Sequence, residues 1–115
     1  MTEVQAVLER VTRVAGVRGA LVASAGDGLV VAEQLMDGVD GRAAAALAGS
    51  LVSRLVRTAG AAGRRTPEFV QLRAERGSIL AAPGGADLVL VAVAGPDANV
   101  GLARLEMLDA ASRLG

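Results

Sequence analysis

The sequence predicts an α/β domain of the α+β type, with the element order α-β-β-α-β-β-β-α. Its five-stranded, mostly antiparallel sheet is expected to lie sandwiched between the second helix on one face and the first and third helices on the other. Three observations carry this. Apolar residues recur with helical spacing near the start and through a long segment centred on Val52. Asp27-Gly28 sits between two apolar runs, the signature of a hairpin. Leu88 to Val93 is apolar without interruption, as expected of a strand covered on both faces.

Thr2 to Ala15 reads as an amphipathic helix, because Val4, Val7, Leu8 and Val11 share one helical face. Thr2 is the expected N-cap, with Gln5 at the capping-box spacing, and Gly16 is the expected stop. Arg18 to Ser24 and Leu29 to Gln34 read as the two strands of the hairpin. Asp40 is positioned to cap a long helix from Gly41 to Ala62. Its Ala44, Leu47, Ala48, Leu51, Val52, Leu55, Val56 and Ala59 sweep an apolar arc, with small Ala45, Gly49 and Ser53 beside it. Covering one sheet needs an apolar stripe of only about 100°. The arc is wider than that, so a second contact, such as another chain, is expected.

Glu68 to Glu75 alternates, with Val70, Leu72 and Ala74 facing one way and Phe69, Gln71, Arg73 and Glu75 the other. That is the pattern of a strand with one exposed face. Arg76-Gly77 turns into a strand from Ser78 to Ala82, and Pro83-Gly84-Gly85 turns into the apolar strand Asp87 to Ala94. Pro96 stops that strand, and Asp97 or Asn99 caps the last helix. Leu102, Leu105 and Leu108 are its expected apolar side, joined by Met107 and Leu114.

The chain has 115 residues and reads as one domain, 1–115. Aromatic residues make up 1% of it, so the core must be aliphatic and little is left for stacking on bases. Lys plus Arg and Asp plus Glu balance at 12 each, which argues against a nucleic-acid groove. With no Cys, disulfides and thiolate metal sites are excluded. With no His, the commonest general base and nitrogen ligand is missing. No signal peptide is visible, and no apolar run approaches the ~20 residues of a membrane-spanning helix. A cytoplasmic protein is expected, reaching a membrane only through partners.

Candidate chemistry reduces to structural roles. Gly60-Ala-Ala-Gly63 has the wrong spacing for a phosphate loop, and there is no Lys to complete one. Gly26-Asp-Gly28 leads into a strand and reads as a turn. Asp37 and Asp40 are a close pair of acids, better explained by loop solvation and helix capping than by acid–base work. Ser24, Ser50, Ser53, Ser78 and Ser112 have no His or Lys to activate them. No catalytic, cofactor-binding or metal residue is expected. Arg54, Arg57, Arg64 and Arg65 cluster at the end of the second helix and beyond. Favourable charge near a helix C-terminus explains them first. A contact patch for an acidic partner or anionic membrane comes second, and an arginine finger third.

Three stretches together resemble the roadblock (dynein light-chain) family. They are Gly19-Ala-Leu-Val-Ala-Ser-Ala-Gly-Asp-Gly-Leu-Val-Val-Ala32, Gly77-Ser-Ile-Leu-Ala-Ala-Pro83, and Leu88-Val-Leu-Val-Ala-Val-Ala-Gly-Pro96 with Asn99-Val-Gly-Leu-Ala-Arg-Leu105. The resemblance runs over essentially the whole chain and implies a roadblock/profilin-like fold. Bacterial members include gliding-motility GTPase regulators, and the Ala- and Arg-rich composition resembles actinobacterial chains. The family implies a homodimer in which third strands pair edge to edge and second helices pack together. That places Ala45, Gly49, Val52, Ser53, Val56, Phe69, Gln71 and Arg73 at the dimer interface, and leaves Arg54, Arg57, Arg64 and Arg65 for a partner. The partner implied is a Ras-like small GTPase, with a sensor-kinase-like protein in the same signalling complex. A non-enzymatic module is therefore expected. The alternatives are a structural scaffold of a sensor-kinase complex and a small-molecule-binding sensor domain.

Overall fold

The computed structural model describes residues 3–63, 67–85 and 87–114. The elements follow the expected order: α1 (Glu3–Thr12), β1 (Val17–Ser24), β2 (Val30–Leu35), α2 (Gly41–Ala61), β3 (Val70–Ala74), β4 (Gly77–Pro83), β5 (Leu88–Ala94) and α3 (Val100–Ala111). α1 stops at Thr12, three residues short of the expected Ala15. The Thr12 hydroxyl donates to the carbonyls of Leu8 and Glu9, offering the backbone a local alternative to another turn. Gly16 then adopts φ +88° and packs on the backbone of Ala98, where no side chain would fit. The expected N-cap Thr2 lies outside the described residues.

The sheet order is β2-β1-β5-β4-β3, and every neighbouring pair is antiparallel. β5 is central, as its unbroken apolarity requires, with Val89, Leu90, Val91 and Ala92 fully buried. The β1–β2 turn is tied by Ser24 N–H to the Leu29 carbonyl and by Leu29 N–H to Asp27 Oδ1. That second bond, with one from Ser24, holds the Asp27 carboxyl below its ordinary value. Two residues bulge out of register: Arg18, between Val17 (opposite Ala94) and Gly19 (opposite Val93), and Val31, between Val30 and Ala32.

Helices cover the two faces as expected. On one side α1 and α3 enclose Val7, Leu8, Val11, Leu80, Leu90 and Met107. On the other, α2 lays Ala44, Ala45, Ala48 and Val52 on Leu21, Ala81, Val89 and Val91. Asp40 caps α2 by accepting from Ala43 N–H, and Asn99, not Asp97, caps α3 by accepting from Leu102 N–H. The expected apolar side of α3 is corrected in part: Met107 and Leu114 are buried as expected, but the other three leucines are not. Leu102 and Leu105 are 42% and 63% exposed, and Leu108 is half-buried. The inward face is Ala103, Met107, Ala110 and Ala111. Leu102, Leu105 and Leu108 form one stripe about 120° wide and the buried residues form another opposite it, so period alone does not choose a face; the small residues win because they let the helix approach the sheet closely.

One ionic cluster ties α1 to α3. Arg10 Nη2 lies 2.7 Å from Asp109 and 2.9 Å from Glu106, with Arg113 beside Asp109. The hydrogen bond from Arg10, followed by the charge of Arg113, holds the Asp109 carboxyl below its ordinary value. A carboxylate depressed on folding stabilises above its unfolded pKa, about 3.9, and that contribution fades as pH falls through the lower folded value. Asp109→Asn is therefore expected to lower the thermal midpoint at pH 7, and the gap to wild type should narrow progressively as pH falls below the unfolded value of about 3.9. Midpoints measured across that range check this; a gap independent of pH contradicts it.

Candidate interaction surface

α2 is longer than the sheet beneath it. Its buried residues end at Val52, and none from Ser53 to Ala61 is buried. At 1.5 Å per residue, about 14 Å of helix projects without cover. The projecting part is amphipathic: Leu55 and Ala59 are half-buried, Val56 is 37% exposed, and Arg54 and Arg57 point to solvent. Beneath its start opens a groove of about 820 Å³ lined by Val52, Ser53, Val56, Arg57, Asp87 and Leu88. Asp87 holds φ +59°, and its carbonyl accepts from Ala25 N–H at the groove wall.

The sheet is uncovered on the same side. β3 is the terminal strand and pairs only with β4. Its register, Val70 opposite Ala81 and Leu72 opposite Ile79, puts Val70, Leu72 and Ala74 on the face that carries α2. Leu72 is 41% exposed there, and Leu47 on the near flank of α2 is 45% exposed. An open strand edge, an apolar strip of sheet and a projecting apolar helix thus form one contiguous surface. A soluble protein pairs or protects such an edge.

The residues selected from the sequence are distributed differently. Ala45 and Val52 are buried within the subunit. Gly49 packs against the β1–β2 turn, where a Cβ would meet Gly28 Cα at 3.2 Å. Ser53 Oγ donates to the Ala25 carbonyl at 2.6 Å. The small-residue ridge of α2 therefore seats the helix on its own hairpin. Of the α2 residues assigned to the interface, Val56 is exposed. Phe69, Gln71 and Arg73 point to the α1/α3 face of β3: Phe69 packs on that core with Arg104 5.8 Å above its ring, and Gln71 reaches Ser78. Arg54 and Arg57 are exposed, while Arg64 and Arg65 lie outside the described residues. Val70, Leu72, Leu51 and Leu55 border the uncovered surface; the sequence places Leu51 and Leu55 in the wide apolar arc but none of the four in the interface set. Alternation separates the two faces of β3, but only its register with β4 tells which one carries α2.

Elsewhere the polar groups serve the fold. Asp40 is spent on its cap, and Ser112 Oγ donates to the Asp109 carbonyl. Among the described residues no group of three or more Asp or Glu could hold a metal ion, and no helix is long and apolar enough to cross a membrane.

Comparison with known proteins agrees with this architecture. Two uncharacterised proteins of Methanocaldococcus jannaschii are each 32% identical over 108 residues, covering 94% of this chain and 93% of their own. The crystal structure of a Roadblock/LC7 domain from Streptomyces avermitilis superposes with a TM-score of 0.80 at 25% identity, covering 96% of this chain and 92% of that one. Myxococcus xanthus MglB superposes with a TM-score of 0.82 at 20% identity, over 96% and 90% of the two chains, which speaks to the fold alone. The family profile described as the Roadblock/LC7 domain matches residues 3–94, from the start of α1 to the end of β5. With its sheet order and flanking helices, this chain belongs to the roadblock/LC7 family.

Proposed function

We propose that this protein is a non-enzymatic interaction module that works as a homodimer and regulates a Ras-like small GTPase. The projecting half of α2 beside the open β3 edge carries the reading. One subunit leaves Val56, Leu72 and the edge of β3 in water and Leu55 half-covered. A two-fold pairing of β3 strands would satisfy both edges at once and bring each projecting helix over the neighbouring sheet. The GTPase partner follows from the family resemblance, and exposed Arg54 and Arg57 offer it a basic rim beside the shared helices. A sensor-kinase-like protein in the same complex fits the same resemblance.

Regulation requires that the dimer prefer one nucleotide state, because equal affinity for both shifts nothing. Calorimetry against a Ras-like GTPase of the same genome, loaded with GDP or a non-hydrolysable GTP analogue, tests this. The expected result is at least a tenfold difference in Kd, about 1.4 kcal/mol. Equal binding to both forms removes regulation and leaves a tether.

A further inference from the structure

The N-terminal end of α2 carries a second feature, which shares Leu47 with the uncovered surface but adds two arginines that the dimer reading does not use. Between the N-terminal turns of α2 and the ends of β4 and β5 lies a groove of about 350 Å³. Leu47, Ile79 and Val93 give it aliphatic walls, and Arg18 and Arg76 stand at its rim. We propose that this groove docks an acidic segment of a partner protein, with one aliphatic side chain between Leu47, Ile79 and Val93 and neighbouring carboxylates against the two arginines.

The sheet register shows how the arginines come together. Arg18 is the bulged residue of β1, the extra one between Val17 opposite Ala94 and Gly19 opposite Val93. A bulge in a strand next to the central one disrupts the ladder, and its usual return is a re-aimed side chain. Arg76 comes from the β3–β4 turn, one residue before Gly77. β1 and β4 flank β5 on either side, so the two backbones bracket the end of β5, about 10 Å apart at the usual strand spacing. Two guanidinium groups so placed can both reach a short acidic stretch over the groove.

Among the described residues neither arginine forms an ion pair, whereas Arg10, Arg13 and Arg113 all do. Asp97 is the near neighbour of Arg18: its Oδ1 and Arg18 Nε both lie 3.3 Å from where a Cβ on Gly95 would sit, without bonding each other. Asp40, the acid in the lining, already accepts from Ala43 N–H as the α2 cap.

Amide chemical-shift titration of the full chain tests the proposal. The probes are the peptide acetyl-Leu-Asp-Glu-Leu-amide and its neutral counterpart acetyl-Leu-Asn-Gln-Leu-amide. The acidic peptide is expected to shift Arg18, Leu47, Arg76, Ile79 and Val93, to bind at least tenfold more tightly than the neutral one, and to weaken as salt rises. The double variant R18E/R76E should lose the acidic peptide and gain acetyl-Leu-Lys-Lys-Leu-amide, a swap that a misfolded variant would not show. The proposal is overturned by equal shifts from both peptides, by the same shifts from inorganic phosphate, or by the same shifts on concentrating the protein alone.

Discussion

Replacing Gly77 by alanine is expected to destabilise the fold by about 3 kcal/mol or more and to lower the thermal midpoint by about 10 °C or more. Gly77 opens β4 with φ +145°, a conformation that side chains rarely adopt. A Cβ there would collide with the carbonyl oxygen of Ala94. That carbonyl belongs to the central strand, where Ala94 is held opposite both Ser78 and Val17, so it has little room to yield. Backbone strain of about 1–3 kcal/mol and overpacking of a similar size act together. Gly38 is the control: its φ is +84°, but nothing lies within 4 Å of a Cβ. Gly38→Ala should show the backbone part alone, about 1–2 kcal/mol. Equal losses in the two variants, measured by urea denaturation, would mean that the Ala94 contact contributes nothing.

Leu72→Glu is expected to weaken self-association at least a hundredfold while leaving the subunit fold nearly unchanged. The side chain is 41% exposed in the single subunit, on the face of β3 shared with α2. A charge there stays hydrated in the monomer, so the subunit should lose no more than about 0.5 kcal/mol. In a β3-paired dimer the same carboxylate would be buried near its two-fold mate, and desolvation alone costs several kcal/mol. Leu105→Glu makes the same chemical change at the 63% exposed position on α3 and should leave association untouched. Dissociation constants from sedimentation, read beside circular dichroism of each variant, separate the two effects. An unaffected dimer in Leu72→Glu would move the interface elsewhere.

Much of the fold was legible because several signals agreed at each element. Asp40 and Asn99 are capping residues that cap, Asp27-Gly28 lies in the first hairpin turn, and the unbroken run in β5 marked the centre of the sheet. α3 was legible as a helix but not in orientation, since it carries two apolar stripes and the buried one is Ala103, Met107, Ala110 and Ala111 rather than the leucines. The surface was legible only in part. The arc of α2 is indeed wider than its sheet needs, and Leu47 and Val56 remain exposed. Its small residues, however, serve the β1–β2 turn, because whether Gly49 faces a foreign helix or its own hairpin depends on where that turn folds back. Likewise Phe69 stands out as the single aromatic, yet strand register turns it under Arg104 and gives the α2 side to Leu72. The Arg18 bulge left no mark in the sequence, since one extra residue in a strand changes pairing and not composition.

The central claim is that a second copy covers the projecting half of α2 and the β3 edge. Light scattering of the purified chain at low micromolar concentration measures this directly. The account predicts a particle of twice the 11.5 kDa chain mass. A stable particle of 11.5 kDa at that concentration would contradict it.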